Sequence, residues 1–301
     1  MRTFLALSRS THGILDVAMP VFAALLWRGN FPDWPVFAVA LVAACAGYTA
    51  IYALNDLVGV SVDKEKFAGA GINPGYSVEA SDLRHPIAQG KLSLARGIVW
   101  FVCWYAITLA AAWWLNPWLL ILVLAAPIAE ATYCLLFKVT YWRVLVSGVV
   151  KSLGPVAAVL VVVPNPSLAW LGLMVLWLMA WEIGGQNIPA DWNDVEEDRR
   201  VGAQTIPLVF GPDVASRLVL MALIAAVLLS LFLPIISPLS LGLPYLAATL
   251  TAGIILLLIP GMQLFRSRKA HDASALFDRA SLYPVAQLAI MIGCVLLQAK
   301  G

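Results

Sequence analysis

Charge is what this chain has least of. Only 12% of its 301 residues are Asp, Glu, Lys or Arg, whereas 61% are hydrophobic and the mean hydropathy is +0.87. Soluble domains carry roughly 25% charged residues, about twice that share, so a soluble enzyme, a nucleic-acid-binding protein and a disordered scaffold are excluded. Cysteine is also sparse. Cys45, Cys103, Cys134 and Cys294 lie far apart in apolar stretches, with no CxxC pair and no nearby His. That pattern excludes a disulfide framework and a thiolate metal centre, and it predicts small buried core residues. Strand-like alternation is missing from long apolar runs such as residues 119–137. A backbone in lipid must satisfy its own hydrogen bonds, so helices are the spanning element.

What remains is nine apolar segments, near 11–28, 36–58, 95–114, 117–136, 143–163, 168–189, 214–234, 240–261 and 282–299. Each approaches the roughly 20 residues that cross a bilayer as a helix. The expected fold class is therefore all-α, a polytopic bundle of about nine transmembrane helices, with residues 1–301 forming one domain in the lipid bilayer. Arg2 and Arg9 precede the first run as in a signal peptide, but no clear small-residue cleavage site follows. The segment is read as the first helix.

Nine spans put the N-terminus and the loops 59–94, 137–142, 190–213 and 262–281 on one side. Of the 19 Lys and Arg, only Arg28 and Lys300 fall on the other side, and Lys151 lies within a span. The positive-inside rule makes the loaded side cytoplasmic. The expected location is a bacterial or archaeal-type plasma (inner) membrane with its chemistry facing the cytoplasm, capped by the loops 59–94 and 190–213.

Two acidic motifs stand where apolar helices emerge into those loops. In the first, Asn55 and Asp56 are followed by Asp63, and Asp56 and Asp63 are two helical turns apart on one face if the helix continues. In the second, Asp191, Asp194 and Asp198 follow i, i+3, i+7 spacing. A charge run at a helix end is ordinarily a solvated surface, which suffices for Glu196 and Glu197. It does not suffice for Asn55 and Asp56, which follow an apolar run and sit at or inside the membrane boundary, where an unpaired carboxylate is costly. Hard oxygen donors gathered without Cys or His suit Mg²⁺, which binds through carboxylates and substrate phosphates. Arg9, Arg84 and Lys138 lie on the same side. Singly each reads as a topology signal or a snorkelling anchor; with the acidic motifs they form a clamp for a metal-bearing phosphate.

These residues resemble the UbiA superfamily of intramembrane prenyltransferases. The family pattern NDxxDxxxD is matched by Asn55, Asp56 and Asp63, and RPxxxGxxS by Arg84, Pro86, Gly90 and Ser93. The family's Tyr and Lys after the fourth helix correspond to Tyr133 and Lys138. Its DxxxD followed by K/R-x-G-x-x-S/T corresponds to Asp194, Asp198, Arg200, Gly202 and Thr205. The resemblance covers nearly the whole chain. Three departures stand out: Gly59 replaces the middle Asp, His85 interrupts the Arg-Pro pair, and residues 67–78 add a Gly/Pro-rich stretch, read either as an excursion or as part of a lid.

The resemblance implies transfer of an isoprenyl group from an allylic prenyl diphosphate to a hydrophobic or aromatic, quinone-precursor acceptor within the membrane. It implies Mg²⁺ held by Asn55, Asp56, Asp63, Asp191, Asp194 and Asp198, with Asp56, Asp194 and Asp198 catalytic. Arg9, Arg84, Lys138 and Arg200 would bind the diphosphate. Tyr52, Tyr133, Glu182 and Asn187 are the candidates for contacting the acceptor or shielding the cation, with Trp181 and Trp192 further candidate shields. Asp16, Glu130, Lys151 and Glu182 lie within spans and are expected to face the bundle interior. Glu130 is expected to make a structural pair, Lys151 being the available cation, while Glu182 stays open between pairing and substrate contact. An isoprenoid cyclase of the same fold and a lipid-binding or transport protein remain alternatives. The membrane CDP-alcohol phosphotransferases do not fit, because their signature motif is absent.

Overall fold

The computed structural model describes residues 1–68 and 83–298. Among the described residues the regular structure is entirely helical. Nine helices there are long and apolar enough to cross a membrane: α1 (Ser10–Arg28), α2 (Trp34–Phe67), α3 (Leu94–Leu115), α4 (Leu119–Lys138), α5 (Arg143–Val162), α6 (Leu168–Asn193), α7 (Ile206–Ile236), α8 (Leu243–Ser267) and α9 (Ala270–Gln298). The protein is an all-α polytopic membrane protein.

Local chemistry sets several boundaries. Pro35, Pro207 and Pro244 lie in first turns, where the missing N–H is no loss. Ser93 caps α3 by accepting a hydrogen bond from the Arg96 amide at 3.4 Å. Gly29, at φ 77°, ends α1 in the left-handed conformation.

The helix ends expected to face the cytoplasm are more helical than the loop reading allowed. Residues 60–67 contain no Gly or Pro, and Lys64 and Lys66 in the last turn complement the helix dipole, so α2 continues to Phe67. Asp63 is therefore a helical residue. Likewise α6 runs to Asn193 and a short helix, Val195–Arg200, follows it. Much of 190–213 is thus helical. Helix α7 starts at Ile206 but breaks at Gly211, φ 74° and ψ 172°, with Pro212 next, so its long straight part begins where the hydropathy rises. Helix α9 begins at Ala270, well before residue 282, because Ala273, Leu276, Phe277 and Ala280 form a buried stripe that adjacent polar residues mask in a hydropathy average.

The bundle is packed unevenly. One core joins α1 to α5 through α9 around Phe22, Trp177, Tyr283, Leu223 and Met291. A much smaller cluster, Leu7, Ala53, Ile87 and Leu92, secures the N-terminal segment and the stretch before α3 to α2. Only 17%, 17% and 11% of the apolar windows of α2, α3 and α4 are buried, against 67% for α1. The α2–α4 side is thus given over to lipid and to an internal cavity. Lipid tails are as apolar as Leu, so packing between spans depends on close approach. Gly184 and Gly185 show it: a Cβ at Gly184 would stand 2.9 Å from Ala222 Cβ, and one at Gly185 2.8 Å from Ala280 Cβ.

All four cysteines are free, but Cys45 and Cys103 are exposed rather than buried. In a bundle whose outer surface meets hydrocarbon, a small apolar thiol is as well placed outside as inside.

Candidate active site

A cavity of about 810 Å³ opens between α1, α2, α4, α5 and α6. Both acidic motifs line one end. The other end is apolar, walled by Leu41, Ala44, Gly47, Leu119, Leu122, Ala158 and Val161.

The first motif is assembled by α2. Asp56 and Asp63, two turns apart and both buried, converge on a single imidazole: His85 Nδ1 lies 3.0 Å from Asp56 Oδ1 and 3.0 Å from Asp63 Oδ2. The turn after His85 holds it there, with the amides of Lys91 and Leu92 both donating to the Pro86 carbonyl, and His85 itself adopts a left-handed φ of 51°. Burial alone would lower the imidazole pKa, but the flanking Asp56 and Asp63 outweigh it and carry it to about 9. Arg9, also left-handed at φ 43°, reaches to 3.8 Å from Asp56 Oδ1. Its guanidinium donates to Asn55 Oδ1 at 3.1 Å, while Asn55 Nδ2 donates to Glu130 Oε1 at 2.6 Å.

The second motif is neutralised one partner at a time. Arg143 pairs with Asp191, Arg84 with Asp194, and Lys66 Nζ with Asp198 Oδ1 at 2.6 Å. Arg84 also lies 3.4 Å from the buried Glu197. Burial would raise the Asp194 pKa, yet Arg84, Lys66 and His85 together hold it below the usual range. Asp198 goes the other way. Burial and the Asp194 charge lift it to about 6 despite Lys66. The two motifs are tied across the cavity, since Lys66 extends the Asp63 helix to reach Asp198 and the neighbours Arg84 and His85 serve one motif each.

The residues present fit a divalent cation. Asp56, Asp63 and His85 offer ligand atoms within 4.8 Å of one another. Asp56 Oδ2 is buried with no hydrogen-bond partner, an acceptor left for an incoming cation or donor.

A profile of the UbiA prenyltransferase family matches residues 17–283. The chain belongs to the UbiA prenyltransferase family. A curated relative, digeranylgeranylglyceryl phosphate synthase of Thermococcus kodakarensis, is 23% identical over 259 residues, covering 85% of this chain and 84% of that one. The fold is shared with a UbiA homologue from Aeropyrum pernix, with a TM-score of 0.74, 20% identity and coverage of 96% and 98% of the two chains. It is shared also with a UbiA homologue from Archaeoglobus fulgidus bound to DMAPP and Mg²⁺, with a TM-score of 0.68, 16% identity and coverage of 96% and 99%.

Within this UbiA fold most of the residues expected from sequence meet at the cavity: Arg9, Tyr52, Asn55, Asp56, Asp63, Arg84, Tyr133, Lys138, Glu182, Asn187, Asp191, Asp194 and Asp198 line it. Arg200 does not. It lies outside the wall and donates from Nη1 to the Lys66 carbonyl at 3.3 Å. Lys138 is at the rim, 2.6 Å from Glu65. Trp181 and Trp192 are buried in the main core and are not wall residues; Trp181 Nε1 donates to the Ala280 carbonyl at 3.0 Å. Lys151 pairs with Asp16 and lies 2.8 Å from Tyr52 Oη, whereas Glu130 bonds Asn55 and approaches Cys134 Sγ at 3.8 Å. The structural pair expected for Glu130 exists, but its partner is Asn55. The Gly/Pro-rich stretch lies outside the described residues except for Phe67 and Ala68.

Three cations were missed as site residues. Lys66 and Arg143 were counted only as topology signals, and His85 only as an interruption. A signal existed for Lys66, which lies three residues after Asp63 on the same helical face. None existed for Arg143, which reaches Asp191 only through packing of α5 against α6.

Proposed function

We propose that this UbiA family member transfers an isoprenyl group from an allylic prenyl diphosphate to a membrane-dissolved acceptor, an aromatic or quinone-precursor molecule, with Mg²⁺ as cofactor. One observation carries the reading: a single cavity joins a charged end, able to take a diphosphate, to an apolar end able to take its tail. The DMAPP and Mg²⁺ of the Archaeoglobus fulgidus homologue support it. A lipid acceptor of the glyceryl phosphate kind is a second reading, favoured by the Thermococcus kodakarensis relative.

Asp56 and Asp63 on one wall, with Asp191, Asp194 and Asp198 on the other, would hold the metal, while His85 balances the charge of the first pair. Mg²⁺, when bound, supplies Lewis acidity that disperses negative charge on the departing diphosphate. Arg9, Arg84 and Lys66 are fixed in place by their carboxylate partners, so they face developing charge without reorganising. The rings of Tyr52 and Tyr133 flank the path toward the acceptor, where an aromatic face stabilises a cation. The apolar end excludes the water that would otherwise capture the prenyl cation. In this reading the whole chain acts as one domain, the segments after α2 and α6 cap the site, and the cap is cytoplasmic. Cysteines introduced at Lys91 and Arg199 would then label from the same, cytoplasmic face.

The deciding experiment supplies the purified protein in lipid nanodiscs with Mg²⁺ and donors from dimethylallyl to geranylgeranyl diphosphate. Metal-dependent diphosphate release, increased by an acceptor, is expected. No release with any donor overturns the reading.

A further inference from the structure

Glu182 and Asn187 bound the only π-helical turn of α6, Glu182–Asn187. In such a turn residues five apart stack on one face, and π turns recur at functional sites. The back of this turn is fixed: Gly184 and Gly185 abut Ala222 and Ala280, and Gln186 Nε2 donates to the Phe277 carbonyl and Ser281 Oγ, both at 3.3 Å. Its front faces the cavity, where Glu182 and Asn187 are both wall residues, 4% and 5% exposed.

Each of the two presents a spare acceptor. Ser147 Oγ donates to Glu182 Oε1, which leaves Oε2 buried without a partner. Asn187 Nδ2 donates to Tyr133 Oη at 2.8 Å, which leaves Oδ1 buried without a partner. Buried acceptors are nearly always satisfied in a resting structure. Two of them on wall residues of one substrate-sized cavity call for an occupant that brings hydrogen-bond donors. A carboxylate or phosphate cannot supply them to Glu182, but a hydroxyl can.

We propose that this face binds the acceptor through its hydroxyl group and that Glu182 is the general base of the transfer, giving an ether product. The proposal rests on the prenyl-transfer reading above. In the step, the acceptor oxygen forms a bond to C1 of the allylic chain. The bond between C1 and the diphosphate oxygen breaks, its electron pair leaves with the diphosphate, and the hydroxyl proton passes to Glu182 Oε2. Asn187 Oδ1 accepts from a second donor on the acceptor or on an ordered water and sets its orientation. Alcohols of glyceryl lipids and phenols share this chemistry.

The test supplies the full-length protein in nanodiscs, with Mg²⁺ and geranyl diphosphate, with two acceptor series. One comprises alkylglycerol phosphates and the other phenols of increasing acidity up to 4-nitrophenol; O-methyl ethers of each serve as blanks. An acceptor that is already deprotonated needs no base. Glu182→Gln is therefore expected to slow transfer to the least acidic accepted hydroxyl by about 100-fold, within the usual range for general base catalysis, and to the most acidic by only about threefold. Glu182→Asp should recover part of the loss, and the series used by the unsubstituted protein identifies the acceptor source. A Glu182→Gln defect equal across the series marks a structural role and overturns the proposal. So does transfer to an O-methyl blank, a prenyl group attached through carbon, or diphosphate release without transfer to either series. Absence of diphosphate release from the unsubstituted protein with every donor from dimethylallyl to geranylgeranyl diphosphate overturns the prenyl-transfer reading as well.

Discussion

The two acidic clusters solve the same electrostatic problem differently. On α2, Asp56 and Asp63 share the imidazole of His85, with Arg9 at a longer 3.8 Å and Asp56 Oδ2 left over. At the end of α6, Asp191, Asp194 and Asp198 each have their own cation: Arg143, Arg84 and Lys66. The proposed metal is therefore placed at the first cluster for its shared, longer contacts and its spare Asp56 Oδ2, while the short one-to-one pairs make the second the more rigid frame. The contrast also assigns the cost of losing a residue. On the α2 side the expected loss is chemistry; on the α6 side it is chemistry and stability together.

The largest effect should come from removing one carboxylate on each side. Asp56→Ala and Asp194→Ala are each expected to leave less than a tenth of the transfer rate, a loss of more than about 1.4 kcal/mol in transition-state stabilisation. A prenyl-transfer assay in nanodiscs that finds more than that tenth in either variant removes that residue from the metal set.

Next comes Lys66→Met, which strands Asp198, itself only 1% exposed. Removing one partner of a buried ion pair typically costs about 3–5 kcal/mol. A clearly lower thermal midpoint is expected, with recovery on adding Asp198→Asn. No shift would mean the second cluster is not the rigid one.

A smaller effect concerns pH in the metal-chelated protein. The His85 pKa is raised to about 9 in the folded state, above its ordinary value of 6.5. Its contribution to stability is therefore complete below pH 6.5 and is lost as pH rises through about 9. The thermal midpoint of the unsubstituted protein should fall over that interval more than that of His85→Asn. Parallel curves would mean that His85 does not bridge the two carboxylates.

The subtlest variant is Gly59→Asp. Gly59 lines the cavity, and a Cβ there would lie 3.2 Å from Asp63 Oδ2. Another carboxylate repels Asp63 until a cation joins them. The expected result is a lower Mg²⁺ concentration for half-maximal activity with the same product. Loss of activity with unaltered folding would show instead that the space beside Asp63 must stay open.

The spans were legible because burial in hydrocarbon is written directly into composition. The amphipathic helix ends were not, since a window average blurs the stripe of Ala273, Leu276, Phe277 and Ala280 into its polar neighbours. Asp56 and Asp63 were legible as a pair because two helical turns bring them to one face. That His85 would sit between them depends on the turn stabilised through the Pro86 carbonyl, a feature with no periodic signal. Arg200 shows where a pattern match stops. It matches a family pattern, but its position at the end of the short helix Val195–Arg200 turns it away from the cavity and toward the Lys66 carbonyl.

Leu41, a wall residue of α2 at the apolar end of the cavity, is 37% exposed in a bundle whose outside meets lipid. Under the proposed function a long-tailed substrate arrives sideways from the lipid, and a product with one tail more leaves without entering water. For such a protein the quantity that governs saturation is the mole fraction of lipid substrate in the bilayer, not its concentration in the tube. Diluting the membrane with inert lipid at constant total substrate should lower turnover, whereas diluting the suspension with buffer should leave the turnover of each protein unchanged.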